Sequence, residues 1–158
     1  MKAVVQRVKN ASITANGAIS GSITHGLLVY LGVAAEDSEK DAEWMAEKVA
    51  FLRIFADSGG KMNLSLKDLE DSAEIPDSAV KPGVLAVSQF TLLGDAGKGR
   101  RPFFGAAAEP EKAKALYEHF MEKIRKQGLQ CESGVFQAHM DVSYTNDGPV
   151  TILLDSKS

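Results

Sequence analysis

Apolar and polar positions alternate along the first fifth of the chain, and the period then lengthens. "KAVVQRVKNASITANG" reads as two short β runs. "AISGSITHGLLVYLGV" continues them, with Gly26 opening a nearly continuous apolar run that suits a buried strand. Asn16-Gly17 between alternating segments is a hairpin signal, so residues 1–34 read as an antiparallel meander. In "DSEKDAEWMAEKVAFLRIF", Ala42, Met45, Ala46, Val49 and Leu52 recur at helical spacing, and Ser38 is placed to cap that helix. "RIFADSGGKMNLSL" reads as strand, tight turn and strand. Residues 67–82 are acidic, polar and carry two prolines, and they predict a loop.

"GVLAVSQFTLL" predicts a buried strand ending in polar residues, and "GDAGKGRRPFFGAAAEP" a glycine-rich loop. In "EPEKAKALYEHFMEKIRKQG", Ala113, Leu116, Tyr117, Phe120, Met121 and Ile124 form one apolar stripe. Pro110 suits its first turn and Gly128 its C-terminal cap. "QCESGVFQAHMDVSYTNDGPVTILLD" closes the chain with three β runs. The order of elements predicts one α+β domain over residues 1–158. Its core is a mostly antiparallel, barrel-like sheet with two main helices packed against it.

Composition adds limits. The chain is 44% hydrophobic and 25% charged, ordinary for a globular protein. It has no apolar run of membrane-span length, and its first residues read as a strand and not as a signal peptide. A lone cysteine, Cys131, precludes a disulfide within one chain and fits an intracellular location; Cys131 itself reads as a strand residue. The net charge of −3 leaves no broad basic stripe for long nucleic acid. The one concentrated basic spot is "KGRRP", with Lys98, Arg100 and Arg101, and by itself it also reads as a solvated loop.

Familiar catalytic patterns are missing: no Cys/His zinc cluster, no Walker lysine, no nucleophile elbow. His25, His119 and His139 have no matching serine or cysteine beside them; His119 falls on the polar, solvated side of its helix, and His139 lies in a β run that could face either way. What remains is the exit of a buried strand, "SQFTL". There Ser88 and Phe90 alternate with Gln89 and Thr91 across the strand. Hydroxyl, amide and free N–H groups at such an exit can cradle an oxyanion, and taken alone they read first as groups that cap the strand end. "NDGPVT" poses a second question. Proline has no N–H for a sheet ladder, yet Pro149 opens an apolar β run, so the segment is either a turn or a backbone shape that binds something.

"AVVQRV", "GLLVYLGV", "LRIF…GKMNLSL", "VSQFTL", "KGRRPFF", "GVFQAHM" and "NDGPVT" together, in this order, resemble the D-aminoacyl-tRNA deacylases over nearly the whole chain. Two departures are the longer 67–82 segment and Gln137, which stands where the family pattern has glycine. The resemblance implies hydrolysis of the ester between a D-amino acid, or glycine, and the terminal ribose of tRNA. It implies a cytoplasmic homodimer with no cofactor and no metal. Ser88, Gln89 and Thr91 are then expected at the catalytic wall. Phe90, Phe136, Met140 and Arg7 are expected around the substrate, together with Gly148 and Pro149 reaching over from the partner subunit with a cis bond between them as the chiral filter. Lys98, Arg100 and Arg101 are expected on phosphates of the tRNA acceptor end. Two other classes stay in view: a non-catalytic RNA- or nucleoside-binding module of the same fold, and an esterase for small acyl compounds.

Overall fold

The structure, a computed structural model, describes residues 1–72 and 81–158. Strand β1, Lys2–Ala15, is the spine of the molecule. It is one strand and not two short ones. Its first half pairs antiparallel with β3, Gly26–Gly32, and its second half with β2, Ala18–Ile23. The β1–β2 hairpin turns at Asn16 and Gly17, with φ of 53° and 79°, the left-handed pair that a two-residue hairpin loop requires.

Helix α1, Glu39–Phe51, starts where the Asp41 carboxylate accepts the Ser38 N–H at 2.9 Å and hydroxyl at 2.8 Å. Strands β4, Phe55–Ala56, and β5, Met62–Leu64, form a separate small hairpin. The expectation of a loop from residue 67 fails at its start: Leu66–Asp71 is a short helix, α2, with Ser65 as N-cap and Asp68 closing the capping box. The sequence SLKD carries this cap, and the acidic composition hid it. The rest of that segment, residues 73–80, lies outside the described residues.

Strand β6, Gly83–Ser88, runs parallel to β3, and β7, Gln130–Ser133, runs parallel to β6. Helix α3, Pro110–Lys126, links them and ends at Gly128 with φ 83°. The last strand, β8, Met140–Asp155, lies antiparallel along both halves of β1. The chain therefore closes with two strands and not three, because β8 runs through "NDGPVT" without reversing. The sheet order is β2-β1-β3-β6-β7 with β8 also on β1. Gly21 of β2 comes close to Ser133 of β7, so the sheet curls towards a barrel.

The sheet and the helices bury one core that includes Val5, Leu27, Val29, Met45, Val49, Phe120 and Ile124. A second cluster, with Val8, Ile13, Leu28, Leu85 and Val87, fills the inside of the curl. The thiol of Cys131 is buried in the first. His119 is less solvated than its helix position predicts: its Nε2 lies 3.4 Å from Glu43 on α1, which also takes Lys123 at 2.6 Å. Among the described residues no helix is long and apolar enough to cross a membrane.

Candidate active site

The parallel pairing of β3 and β6 ends at Ser88, and Gln89 makes one more ladder bond, its N–H donating to the Leu31 carbonyl at 2.8 Å. Phe90–Leu93 then wind into a 3-10 turn. The strand alternation expected through Thr91 therefore stops at Ser88. The N–H groups that begin such a turn have no acceptor inside it, so those of Phe90 and Thr91 emerge as donors at the strand exit. The Gln89 side-chain amide donates to the Thr91 hydroxyl, which ties the two polar side chains together.

Ser88, Gln89 and Phe90 form one side of a cleft of about 560 Å³. Leu31, Val33 and Val87 make its floor, and Phe136, Gln137, His139 and Met140 the opposite side. Thr91 is exposed and sits at the rim, outside the lining. Ala107, Ala108 and the start of α3 complete the wall; their small side chains leave the space open. The sequence by itself assigns neither these residues nor His139 to a site. The signal was the run of alanines before Pro110, which an apolar helix stripe cannot use.

Phe136 is held from behind. Its ring lies tilted at 38° to that of Tyr117, 6.2 Å between centroids, and the Tyr117 hydroxyl donates to the Ala86 carbonyl at 2.8 Å. Burial raises the Tyr117 phenol above its usual range. Gln137 has φ 62°, the left-handed region in which glycine is at ease, so the position where the family pattern has glycine keeps a glycine-like backbone. Burial likewise pushes the Cys131 thiol up to about 12, and Cys131 does not line the cleft.

Arg7, Gly148 and Pro149 are not in this cleft. Gly148 and Pro149 belong to a bulge of β8, and Arg7 faces it from β1. Gln6 pairs with Thr151 and Val8 with Asn146, so Asp147 to Val150 loop out opposite Arg7 alone. Asn146 folds the loop by accepting the Val150 N–H at 3.0 Å. The Gly148–Pro149 peptide is cis, and both residues are exposed. Arg7 grips the base of the bulge: Nε donates to the Asp147 carbonyl at 3.1 Å, and the guanidinium also donates to the Ile54 carbonyl. His25 stands nearby with its ring edge-on to Phe55 at 5.6 Å. Burial lowers its imidazole below the ordinary value of 6.5; the Asp147 carboxylate opposes this and Arg7 adds to it.

Lys98, Arg100 and Arg101 are exposed on the loop after the 3-10 turn. Among the described residues no three His, Cys, Asp or Glu side chains converge as a metal site.

The cleft joins apolar side chains to a polar strand exit, the make-up of a small-molecule or ligand-end binding site. The chain belongs to the D-Tyr-tRNA(Tyr) deacylase family, which it matches over residues 4–155. It is 59% identical over 157 residues to a D-aminoacyl-tRNA deacylase of Koribacter versatilis, spanning 99% of this chain and 98% of that one. It is 53% identical over 156 residues to a D-aminoacyl-tRNA deacylase of Thermotoga petrophila, spanning 99% and 97%. Among solved structures, the c-Myc DNA Unwinding Element Binding Protein superposes with a TM-score of 0.84 at 40% identity, over 98% of both chains. A probable eukaryotic D-amino acid tRNA deacylase shares the fold, with a TM-score of 0.78 at 15% identity over 97% of both chains.

Proposed function

We propose that this protein hydrolyses the ester of D-aminoacyl-tRNA, and of glycyl-tRNA, to free amino acid and tRNA in the cytoplasm. The observation that carries the reading is 59% identity to a D-aminoacyl-tRNA deacylase along 99% of the chain.

The reaction needs little from side chains. A water oxygen adds to the ester carbonyl carbon, and the carbonyl π pair moves to oxygen. The Phe90 and Thr91 N–H groups at the strand exit stabilise that oxyanion. Collapse breaks the bond to the terminal ribose oxygen, which leaves with the proton taken from the water. The neighbouring ribose hydroxyl of the substrate assists the water, in preference to a covalent ester on Thr91. Gln89 holds the Thr91 hydroxyl, and Ser88 lines the same wall. Phe90, Phe136 and Met140 enclose the aminoacylated end.

Chirality is read by backbone. A second copy of this chain supplies Gly148 and Pro149 to the cleft; that both are exposed and stand away from their own chain's cleft supports this. Their carbonyl oxygens accept from the substrate ammonium group and wall off the side on which an L-residue carries its side chain. Glycine has no side chain to reject. An open apolar row suits the dimer: Leu153 pairs across β1 with Val4, and Val4 with Tyr30, so the three share a face, and Leu153 is 77% exposed.

The test is hydrolysis of D-Tyr-, L-Tyr- and glycyl-tRNA by catalytic amounts of protein, with sedimentation of the wild type and Leu153→Asp. Turnover of the D- and glycyl forms with L spared, by a dimer that Leu153→Asp dissociates and inactivates, is expected. Stoichiometric RNA binding without turnover would make the chain a binding module, and cleavage of simple esters without RNA would make it a general esterase.

A further inference from the structure

Phe103 is a large apolar side chain that the core leaves outside: it is 72% exposed in the middle of the basic loop. The loop does not leave it loose. Asp95 and Phe103 exchange both backbone N–H···O bonds, each at 2.8 Å, which clips the loop into a short two-stranded bridge. Side chains alternate across such a bridge. Phe104 points in, lies over Gly94, and meets the Phe90 ring of the cleft wall edge-on at 5.1 Å. Phe103 points the other way. Its ring lies against Gly105, so close that a Cβ there would come within 2.4 Å of two ring carbons. A side chain at position 105 would thus collide with the ring, and most of the ring is left exposed. Lys98, Arg100 and Arg101 lie on the same loop, and none of them makes an ion pair among the described residues.

We propose that the outer face of Phe103 is a stacking platform for an unpaired base of the single-stranded 3′ end of the substrate RNA. The inference rests on the deacylase reading for the identity of that RNA. An exposed aromatic ring on a loop with unpaired cations is the arrangement by which proteins hold single strands: cations track the phosphates and each base has a π-face to offer the ring. The route from Phe103 through Phe104 to Phe90 sets the platform one residue outside the cleft, where the nucleotides before the esterified one leave it. An exposed phenyl ring is otherwise a cost in solubility, and Gly105 lacks the Cβ that would displace it.

The experiment uses full-length protein and a short single-stranded RNA ending in CCA, uncharged. Trp44 is the one tryptophan, so Phe103→Trp in a Trp44→Phe background carries a single reporter indole. Saturable quenching of that indole by the RNA is expected. Phe103→Ser and Phe103→Leu should weaken RNA binding about tenfold or more, and Phe103→Tyr should retain it. Gly105→Ala, which displaces the ring, should mimic Phe103→Ser. With charged tRNA the loss should fall on KM and not on kcat. Leucine at 103 binding as well as phenylalanine, or an indole at 103 that RNA does not quench, overturns the platform. Absence of hydrolysis by the wild type, while RNA still quenches the indole at 103, overturns the deacylase reading and leaves the platform standing.

Discussion

Arg7 holds Asp147 twice: its Nε donates to the Asp147 carbonyl at 3.1 Å and lies 3.3 Å from the carboxylate Oδ2. These residues are 140 apart in sequence, and the contact joins the first strand to the bulge in the last. The guanidinium also reaches Ile54, so one side chain pins three segments behind Gly148.

Arg7→Lys keeps the charge and loses the planar fork. A hydrogen bond to a charged group contributes about 1.5–3 kcal/mol, so urea unfolding should show a loss of about that size. Turnover of D-Tyr-tRNA should fall at least tenfold, since the bulge loses its brace. Wild-type values in both measurements would remove Arg7 from this role.

Gly148 has φ 131°, and a Cβ there would lie 2.8 Å from Val150 Cγ2 and 3.1 Å from the Arg7 guanidinium. Gly148→Ala should cost about 1–3 kcal/mol in stability from backbone strain alone. It should also abolish turnover in the presence of a folded circular-dichroism spectrum. An active alanine variant would show that the bulge adapts freely.

His25 gives a pH dependence whose sign is fixed. Its folded-state value is lowered by burial, so the unfolded chain binds more protons below the ordinary value of 6.5. Stability from this residue is therefore full above about pH 6.5 and is lost as pH falls towards the folded value. Melting temperatures of wild type and His25→Phe, compared from pH 7.5 downwards, should diverge below about pH 6.5, with the wild type falling faster. Parallel curves would mean that His25 does not titrate across folding.

Neutralising Lys98, Arg100 and Arg101 together should weaken binding of charged tRNA at low salt. It should also flatten the dependence of log K on log salt by about 0.7 per lost single-strand phosphate contact. A slope equal to that of the wild type would show that these cations stay in solvent.

Periodicity made the helices legible. The stripe from Ala113 to Ile124, with proline and glycine at its ends, predicts α3 closely, because burial of one face and backbone capping are both local. The short helix at Leu66–Asp71 was missed, since six residues hold too little pattern to outweigh an acidic composition. The strands were found, but their continuity was not: β1 and β8 each read as separate runs, and β8 became one strand only because β1 offers it a partner along its whole length. A polar interruption such as "NDGP" looks like a turn until a long partner carries the ladder past it as a bulge.

The sequence by itself determined the fold class, the family and the residues at the strand exit, because these rest on order, period and local backbone chemistry. Only the tertiary structure decided which of them meet. It brought Phe136 and Met140 opposite Ser88 and Gln89 through the parallel β3–β6–β7 arrangement, whose crossovers no local pattern encodes. It set Gly148 and Pro149 apart from that cleft, on a bulge gripped by Arg7. It also separated the two phenylalanines of "PFF", sending Phe104 to the cleft wall and Phe103 to solvent. Sheet pairing is a contact between distant segments, and its register flips a side chain from one face to the other with each single-residue step. Neighbours in the chain therefore carry no label of which side they will face until the partner strand is in place.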